Sequence, residues 1–193
     1  DLLLVGGRRG GAGLRVLDAF GAEFLALLAV QALGVRLLRA IQRLGRALLR
    51  WLLVGRGGGI GQGLAGAIGV KVAMPDRPVV AISGDGSAMY AIQALWTAAH
   101  HKLAIVFVVL ANREYRILKH NVDVWRQNFE ACTQHPYQNM DITGPALDFV
   151  HLAAGMGVEA VRVEKADEIA GAVAKAVATG RPYLVEIAIE GKR

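Results

Sequence analysis

Residues 79–87 read Val-Val-Ala-Ile-Ser-Gly-Asp-Gly-Ser. Val79–Ile82 is a short apolar run rich in β-branched residues, the pattern of a buried strand. Gly84-Asp85-Gly86 ends it, and Ser87 suits the N-cap of a helix running to about Ala99. The same alternation continues downstream. Leu103–Leu110 reads as a second buried strand that stops at Ala111-Asn112. A helix is expected from Tyr115 to about Val124, and residues 125–143 read as irregular. Pro145–Met156 reads as a helix, Val158–Val163 as a strand, Ala166–Ala178 as a helix and Tyr183–Ile189 as the last strand. Upstream, the glycine-rich stretch Gly57–Gly63 leads into an apolar helix from Gln62 to about Met74, closed by the break Pro75-Asp76-Arg77-Pro78. Strands that are apolar throughout and alternate with helices predict an α/β fold: a mostly parallel sheet with helices on both faces. Ligands of such sheets bind outside the carboxyl ends of the strands. That places interest on Gly84–Ser87 and on Ala111-Asn112.

Composition narrows the class. Of 193 residues, 54% are hydrophobic and 20% charged, which excludes a disordered chain. The single cysteine, Cys132, excludes an internal disulfide and argues against a cysteine zinc site. The chain opens at Asp1 without a basic n-region, so no secretory signal is expected. Its longest uncharged apolar run, Phe24–Val35, is 12 residues, short of the roughly 20 a membrane-spanning helix needs. A cytoplasmic protein without membrane segments is the expectation. The net charge of +6 lies wholly in residues 1–56, which hold nine Arg and three acids (9 − 3 = +6). Residues 57–193 hold 13 basic and 13 acidic residues, so no nucleic-acid partner is expected for them.

The composition shift near Arg56 divides the chain into a Leu/Arg-rich segment, 1–55, and a domain, 56–193. Within the first segment Arg36, Arg39, Arg43, Arg46 and Arg50 recur at spacings of three and four. Leu37, Ile41, Leu44, Leu48 and Leu52 do the same, so an amphipathic helix with a basic stripe is expected. Such a stripe reads as a solvated face, or as an attachment to anionic lipid or an acidic partner. The biased composition leaves a third reading, that residues 1–55 are not native to the rest.

Two glycine clusters compete to name the ligand. Gly61-Gln62-Gly63-Leu64-Ala65-Gly66 fits G-x-G-x-x-G, and Asp85 lies about 20 residues on, as a ribose-binding acid would in an NAD-binding Rossmann domain. Against this, no strand ends directly at Gly61, because residues 56–60 intervene. A ribose-binding acid also has no need of flanking glycines. The other cluster is Gly84-Asp85-Gly86, followed by 24 residues that begin with Ser87, then Ala111-Asn112. Backbone N–H groups at a helix start favour phosphate. A carboxylate and an amide oxygen at neighbouring strand ends are hard ligands suited to Mg²⁺, which keeps water and phosphate oxygens as its other ligands.

The second cluster resembles the thiamine-diphosphate signature, GDG followed after some two dozen residues by NN. The surrounding words GDGSAMYAIQALWTAA, ANREYRIL and RGGGIGQGLAGAIGVKVA resemble the C-terminal, pyrophosphate-binding domain of the thiamine-dependent decarboxylase and acetolactate-synthase-like family, over about residues 56–190. Ala111 departs from the first Asn of the motif, and Asn112 supplies the second, the metal ligand. The resemblance implies that Asp85 and Asn112 bind Mg²⁺ by side chain and Glu114 by its carbonyl. It implies that Gly84, Gly86 and Ser87 adjoin the diphosphate, with Tyr115 close by. Gly58, Gly59 and Ile60 are implied on the pyrimidine side, the Gly58 carbonyl accepting the 4′-amino group and Ile60 lying under the bent cofactor. No catalytic side chain is implied within this chain.

The same resemblance implies a 2-oxo acid substrate, and the stretch Gln93–Ala99 with apolar Leu118 looks most like benzoylformate decarboxylase. An acetolactate-synthase-like carboligase and a non-catalytic cofactor-binding module are the alternatives. A separate pyrimidine-binding domain, carrying the glutamate that activates the cofactor, is implied as partner, within a homo-oligomer. His100 and His101 read as helix-end dipole partners, and His120 as a surface residue or one facing the substrate.

Overall fold

The computed structural model describes residues 2–6, 51–53, 60–129 and 136–189. Strands are β1 (Leu2–Gly6), β2 (Trp51–Leu53), β3 (Val79–Gly84), β4 (Ile105–Ala111), β5 (Glu159–Val163) and β6 (Tyr183–Ala188). Helices are α1 (Gln62–Ala73), α2 (Asp85–Ala88), α3 (Ala94–His100), α4 (Arg116–Asn128), α5 (Phe149–Gly155) and α6 (Ile169–Ala178). The strands form one sheet in the order β2-β1-β3-β4-β6-β5. The four strands β3, β4, β6 and β5 run parallel, and β1 pairs antiparallel with both β2 and β3. The expected α/β architecture is therefore present.

Period-two alternation along the strands builds two cores. Val79 and Ala81 of β3, Phe107 and Val109 of β4, and Leu184 of β6 face α1, α3 and α5, where Leu64, Leu95 and Phe149 are fully buried against them. Val80, Ile82, Val108, Val185 and Ile187 face the other way, against Ile169, Val173 and Ala176 of α6. Those three helical positions recur at spacings of four and three, the stripe a sheet-packed helix requires. Strands covered on both faces have no polar side to show. That is why they read as unbroken apolar runs.

Several expectations need correction. Residues 87–99 are not one helix: α2 ends at Ala88, and α3 begins at Ala94. The intervening chain turns to lie against Gly61, where an added Cβ would sit 2.8 Å from the Tyr90 Cβ. Ser87 is not an N-cap either, because helix geometry already begins at Asp85, with Gly84 in the capping position. Residues 125–128, expected irregular, continue α4. They extend the apolar stripe Leu118, Val122, Trp125 without a breaker. α5 starts at Phe149 rather than Pro145, because the Asp148 carboxylate accepts the His151 N–H at 3.0 Å. The basic helix expected to reach Leu52 meets a strand at Trp51–Leu53. The rest of that expected helix, like Cys132, Gly58 and Gly59, lies outside the described residues.

Candidate functional site

The register Ser83↔Val109 and Gly84↔Leu110 brings the ends of β3 and β4 level. Asp85 is the first residue beyond β3 and Asn112 the first beyond β4. The chain then folds these two ends onto each other. Asp85 is only 4% exposed. Its Oδ1 accepts the Gly86 N–H at 2.8 Å, and its Oδ2 accepts the Arg113 N–H at 2.6 Å. Burial pushes the Asp85 carboxyl above its usual range, and the backbone N–H groups of Arg113 and Gly86 pull it partly back. A desolvated carboxylate of this kind favours a nearby cation.

Asn112 makes a local turn. Its Oδ1 accepts the Glu114 N–H at 3.1 Å, and Arg113 between them has φ +59°, in the left-handed region. That turn sends the chain back along residues 140–142. Glu114 and Asp141 pair as an isolated antiparallel bridge. The Tyr115 N–H donates to the Met140 carbonyl at 2.8 Å, and the Ile142 N–H to the Arg113 carbonyl at 2.7 Å. The Glu114 carboxylate is buried. Its Oε2 receives Lys119 Nζ at 2.6 Å, and its Oε1 has no hydrogen-bond partner.

Gly86 is a glycine for a steric reason. An added Cβ would lie 2.6 Å from Tyr115 Cε1 and 2.9 Å from Cδ1. Gly86→Ala must therefore displace the Tyr115 ring. A fall in stability of about 1–3 kcal/mol is expected, the usual cost of overpacking. Urea denaturation measures it, and a loss under about 0.5 kcal/mol would mean that the ring swings away freely. Beside Gly84, by contrast, the space an added Cβ would take is open. Ile60 stands 61% exposed, next to Gly61 at φ +80°.

The residues named from sequence thus divide. Gly84, Asp85, Gly86, Ser87, Asn112, Glu114 and Tyr115 converge at the carboxyl ends of β3 and β4. Ile60 precedes the start of α1, whose Gly61 contacts residues 90–91. His100 stacks on Trp96 with ring centroids 4.9 Å apart and meets His101 edge-on at 4.8 Å, an exposed group on α3. His120 is exposed on α4, a helix with no buried residue. Two participants escaped the sequence reading. Lys119 contacts both Glu114 and Asp141 at 2.6 Å, and residues 140–142 form one side of the loop ladder. The five-residue step from Glu114 to Lys119 was a usable signal, whereas nothing in the sequence pointed to Asp141. Glu186, fully buried on β6, lies 3.6 Å from Arg162. Burial pushes its carboxyl up, with Arg162 opposing.

The donor set suits a hard cation only in part. Each Asp85 oxygen and the Asn112 Oδ1 accepts one N–H, and each keeps a second lone pair. Among the described residues no group of three or more His, Cys, Asp or Glu could hold a metal ion. A cation here would need oxygens beyond the side chains of Asp85 and Asn112. Mg²⁺ carrying phosphate oxygens meets that requirement. The open space at Gly84 leaves room for such a group beside Asp85, whereas Gly86 is covered by the Tyr115 ring. Among the described residues no helix is long and apolar enough to cross a membrane.

Comparison with known proteins points to one family. The family model described as "Thiamine pyrophosphate enzyme, C-terminal TPP binding domain" matches residues 37–187. The match begins before Arg56, so it takes in part of the Leu/Arg-rich segment. Benzoylformate decarboxylase of Pseudomonas aeruginosa is 40% identical over 130 residues, 67% of this chain and 23% of that protein. Acetolactate synthase isozyme 2 large subunit of Escherichia coli is 32% identical over 133 residues, 69% of this chain and 23% of that protein. The structure of a thiamine diphosphate-dependent 4-hydroxybenzoylformate decarboxylase from Rhodococcus jostii superposes with a TM-score of 0.62 at 36% identity, covering 70% of this chain and 24% of that one. The chain spans about a quarter of the length of the curated relatives it matches.

Proposed function

The chain belongs to the thiamine pyrophosphate enzymes, as their C-terminal TPP-binding domain, and from that premise we propose that it holds the diphosphate of thiamine diphosphate through Mg²⁺. Asp85 and Asn112 bind the metal by side chain and Glu114 by its carbonyl. Gly84, Gly86 and Ser87 offer the diphosphate backbone N–H groups and close approach, with Tyr115 alongside. Gly58, Gly59 and Ile60 attend the pyrimidine. The observation that carries this reading is the Arg113 N–H bond to Asp85 at 2.6 Å. It ties the Asn112 turn to the carboxylate and so brings both proposed ligands to one place.

When bound, the cofactor supplies the carbanion stabilisation that bond cleavage next to a carbonyl requires. The chain's own residues bind and orient it. Asp85 and Asn112 fix the metal, the glycines set the approach, and the buried surroundings of Asp85 exclude water. A 2-oxo acid decarboxylase of the benzoylformate type is the activity proposed for the whole enzyme, supported by the 40% identity to such a decarboxylase. An acetolactate-synthase-like carboligase is the second reading, supported by 32% identity to that enzyme. In either case residues 56–193 are the pyrophosphate-binding domain. They act with a pyrimidine-binding domain outside it, in a cytoplasmic homo-oligomer.

Titration calorimetry tests the cofactor assignment. Thiamine diphosphate should bind in Mg²⁺ and not in excess EDTA, since diphosphate and carboxylate repel without the cation. Absence of binding in Mg²⁺, or binding of NAD in its place, would return the site to the dinucleotide reading.

A further inference from the structure

We propose that Lys119 is a positioning residue that locks the Asn112–Tyr115 turn against residues 140–142 and so fixes the metal-binding loop. The inference rests on the cofactor reading given above. Lys119 lies in the first turn of α4, and its Nζ stands 2.6 Å from Glu114 Oε2 and 2.6 Å from Asp141 Oδ1. The two carboxylates belong to the two residues of the Glu114↔Asp141 bridge. Without a cation between them they would repel and open the bridge.

Burial separates this contact from an ordinary surface ion pair. The Lys119 side chain is 11% exposed and that of Glu114 only 7%, so the buried half of the contact is Lys119–Glu114, while the Asp141 carboxylate is 59% exposed. Exposed pairs contribute little, whereas removing one partner of a buried pair strands a charge. Glu114 has no second support, since its Oε1 lacks any hydrogen-bond partner. The lysine ammonium also lies 5.6 Å from the Tyr137 ring centroid, so it draws the start of the 136–142 segment toward α4.

The lock reaches the metal site by a short path. On one side of the bridge is the Arg113 carbonyl bond to Ile142, and on the other the Tyr115 bond to Met140. Arg113 donates to Asp85. The Tyr115 ring and Ile142 Cδ1 both border Gly86. A ladder that slackens at Glu114 therefore moves the contacts of Asp85 and Gly86 together.

Hydrogen exchange on the full chain, without cofactor, reads the lock directly. In Lys119→Met the Tyr115 and Ile142 amides should exchange about 10-fold faster or more, while the Val108 amide in the middle of β4 keeps its protection. Mg²⁺-dependent affinity for thiamine diphosphate should fall roughly 10–100-fold, the usual effect of losing an outer-sphere support. Lys119→Arg should restore both, since it returns a cation to the bridge. If Lys119→Met does not fold, Glu114→Gln combined with Lys119→Met removes the stranded charge and permits the same comparison. Unchanged exchange at Tyr115 and Ile142, or equal acceleration at Val108, would overturn the proposal. Should the unmodified chain fail to bind thiamine diphosphate in Mg²⁺, the cofactor reading falls, and the exchange pattern still decides whether Lys119 holds the loop.

Discussion

Asp85→Ala is expected to abolish Mg²⁺-dependent binding of thiamine diphosphate. The carboxylate is the only fully charged side chain among the proposed side-chain ligands, and the described residues offer no other acid cluster to replace it. Its removal takes away the proposed ligand and the charge that would hold a divalent cation against the diphosphate. The loss should exceed the roughly 10–100-fold that follows when only an outer-sphere partner is removed. The substitution also leaves the N–H groups of Gly86 and Arg113 without their acceptor. Each stranded group costs about 1–3 kcal/mol, so some fall in thermal stability should accompany the loss. Asp148→Ala removes an equal charge from an exposed site and serves as control. Calorimetry that shows the Asp85→Ala chain binding with unaltered affinity would sink the metal assignment.

The second large effect is expected in catalysis. The purified 193-residue polypeptide, supplied with thiamine diphosphate and Mg²⁺, should show no steady turnover of benzoylformate. The acids at the site are already engaged: Asp85 accepts two backbone N–H groups, and Glu114 pairs with Lys119. On the proposed reading both serve the metal-binding loop and neither moves a proton. The family resemblance puts that task on a glutamate of the pyrimidine-binding domain. One positioned acid–base group contributes about 10²–10⁴ in rate. On the proposed reading the exposed Ile60 lies on the pyrimidine side, which the absent domain would cover, and loss of orientation slows the reaction further. Release of CO₂ and aldehyde is the readout. Addition of a pyrimidine-binding domain from a relative should raise it. Turnover by the polypeptide alone at ordinary enzyme rates, about 1–10³ per second, would mean that it contains a catalytic group not recognised here.

What the sequence revealed of the fold follows from what each element must bury. β3, β4 and β6 are covered on both faces, so their apolar runs were plain. Asp85 and Asn112 were readable because a strand end, a glycine and a polar residue recur together at both positions. The break at residues 89–93 was not readable, since it contains neither glycine nor proline. Its cause is the approach of Gly61, some thirty residues upstream. The end of α4 was readable, because Trp125 continues the stripe of Leu118 and Val122 and no breaker precedes Asn128. Lys119 and Asp141 escaped for a different reason. Their contact spans 22 residues, and an exposed-looking Lys and Asp give no local hint that they will meet.

The proposed metal ligands come from consecutive strands, joined by a single crossover through α2 and α3. The Asp85–Arg113 bond closes a loop of only 28 residues. Had the second ligand come from the end of β6, the loop would span about a hundred residues, and closing it would cost about 1 kcal/mol more in chain entropy. Short loops also form sooner than long ones. The half-site can therefore assemble before β6 inserts between β4 and β5 to finish the sheet. A segment of roughly sixty residues, from Val79 to Ile142, carries nearly all of this local chemistry. Recombination or gene fission that cuts outside it leaves the phosphate-binding corner whole, whatever chain supplies the other wall.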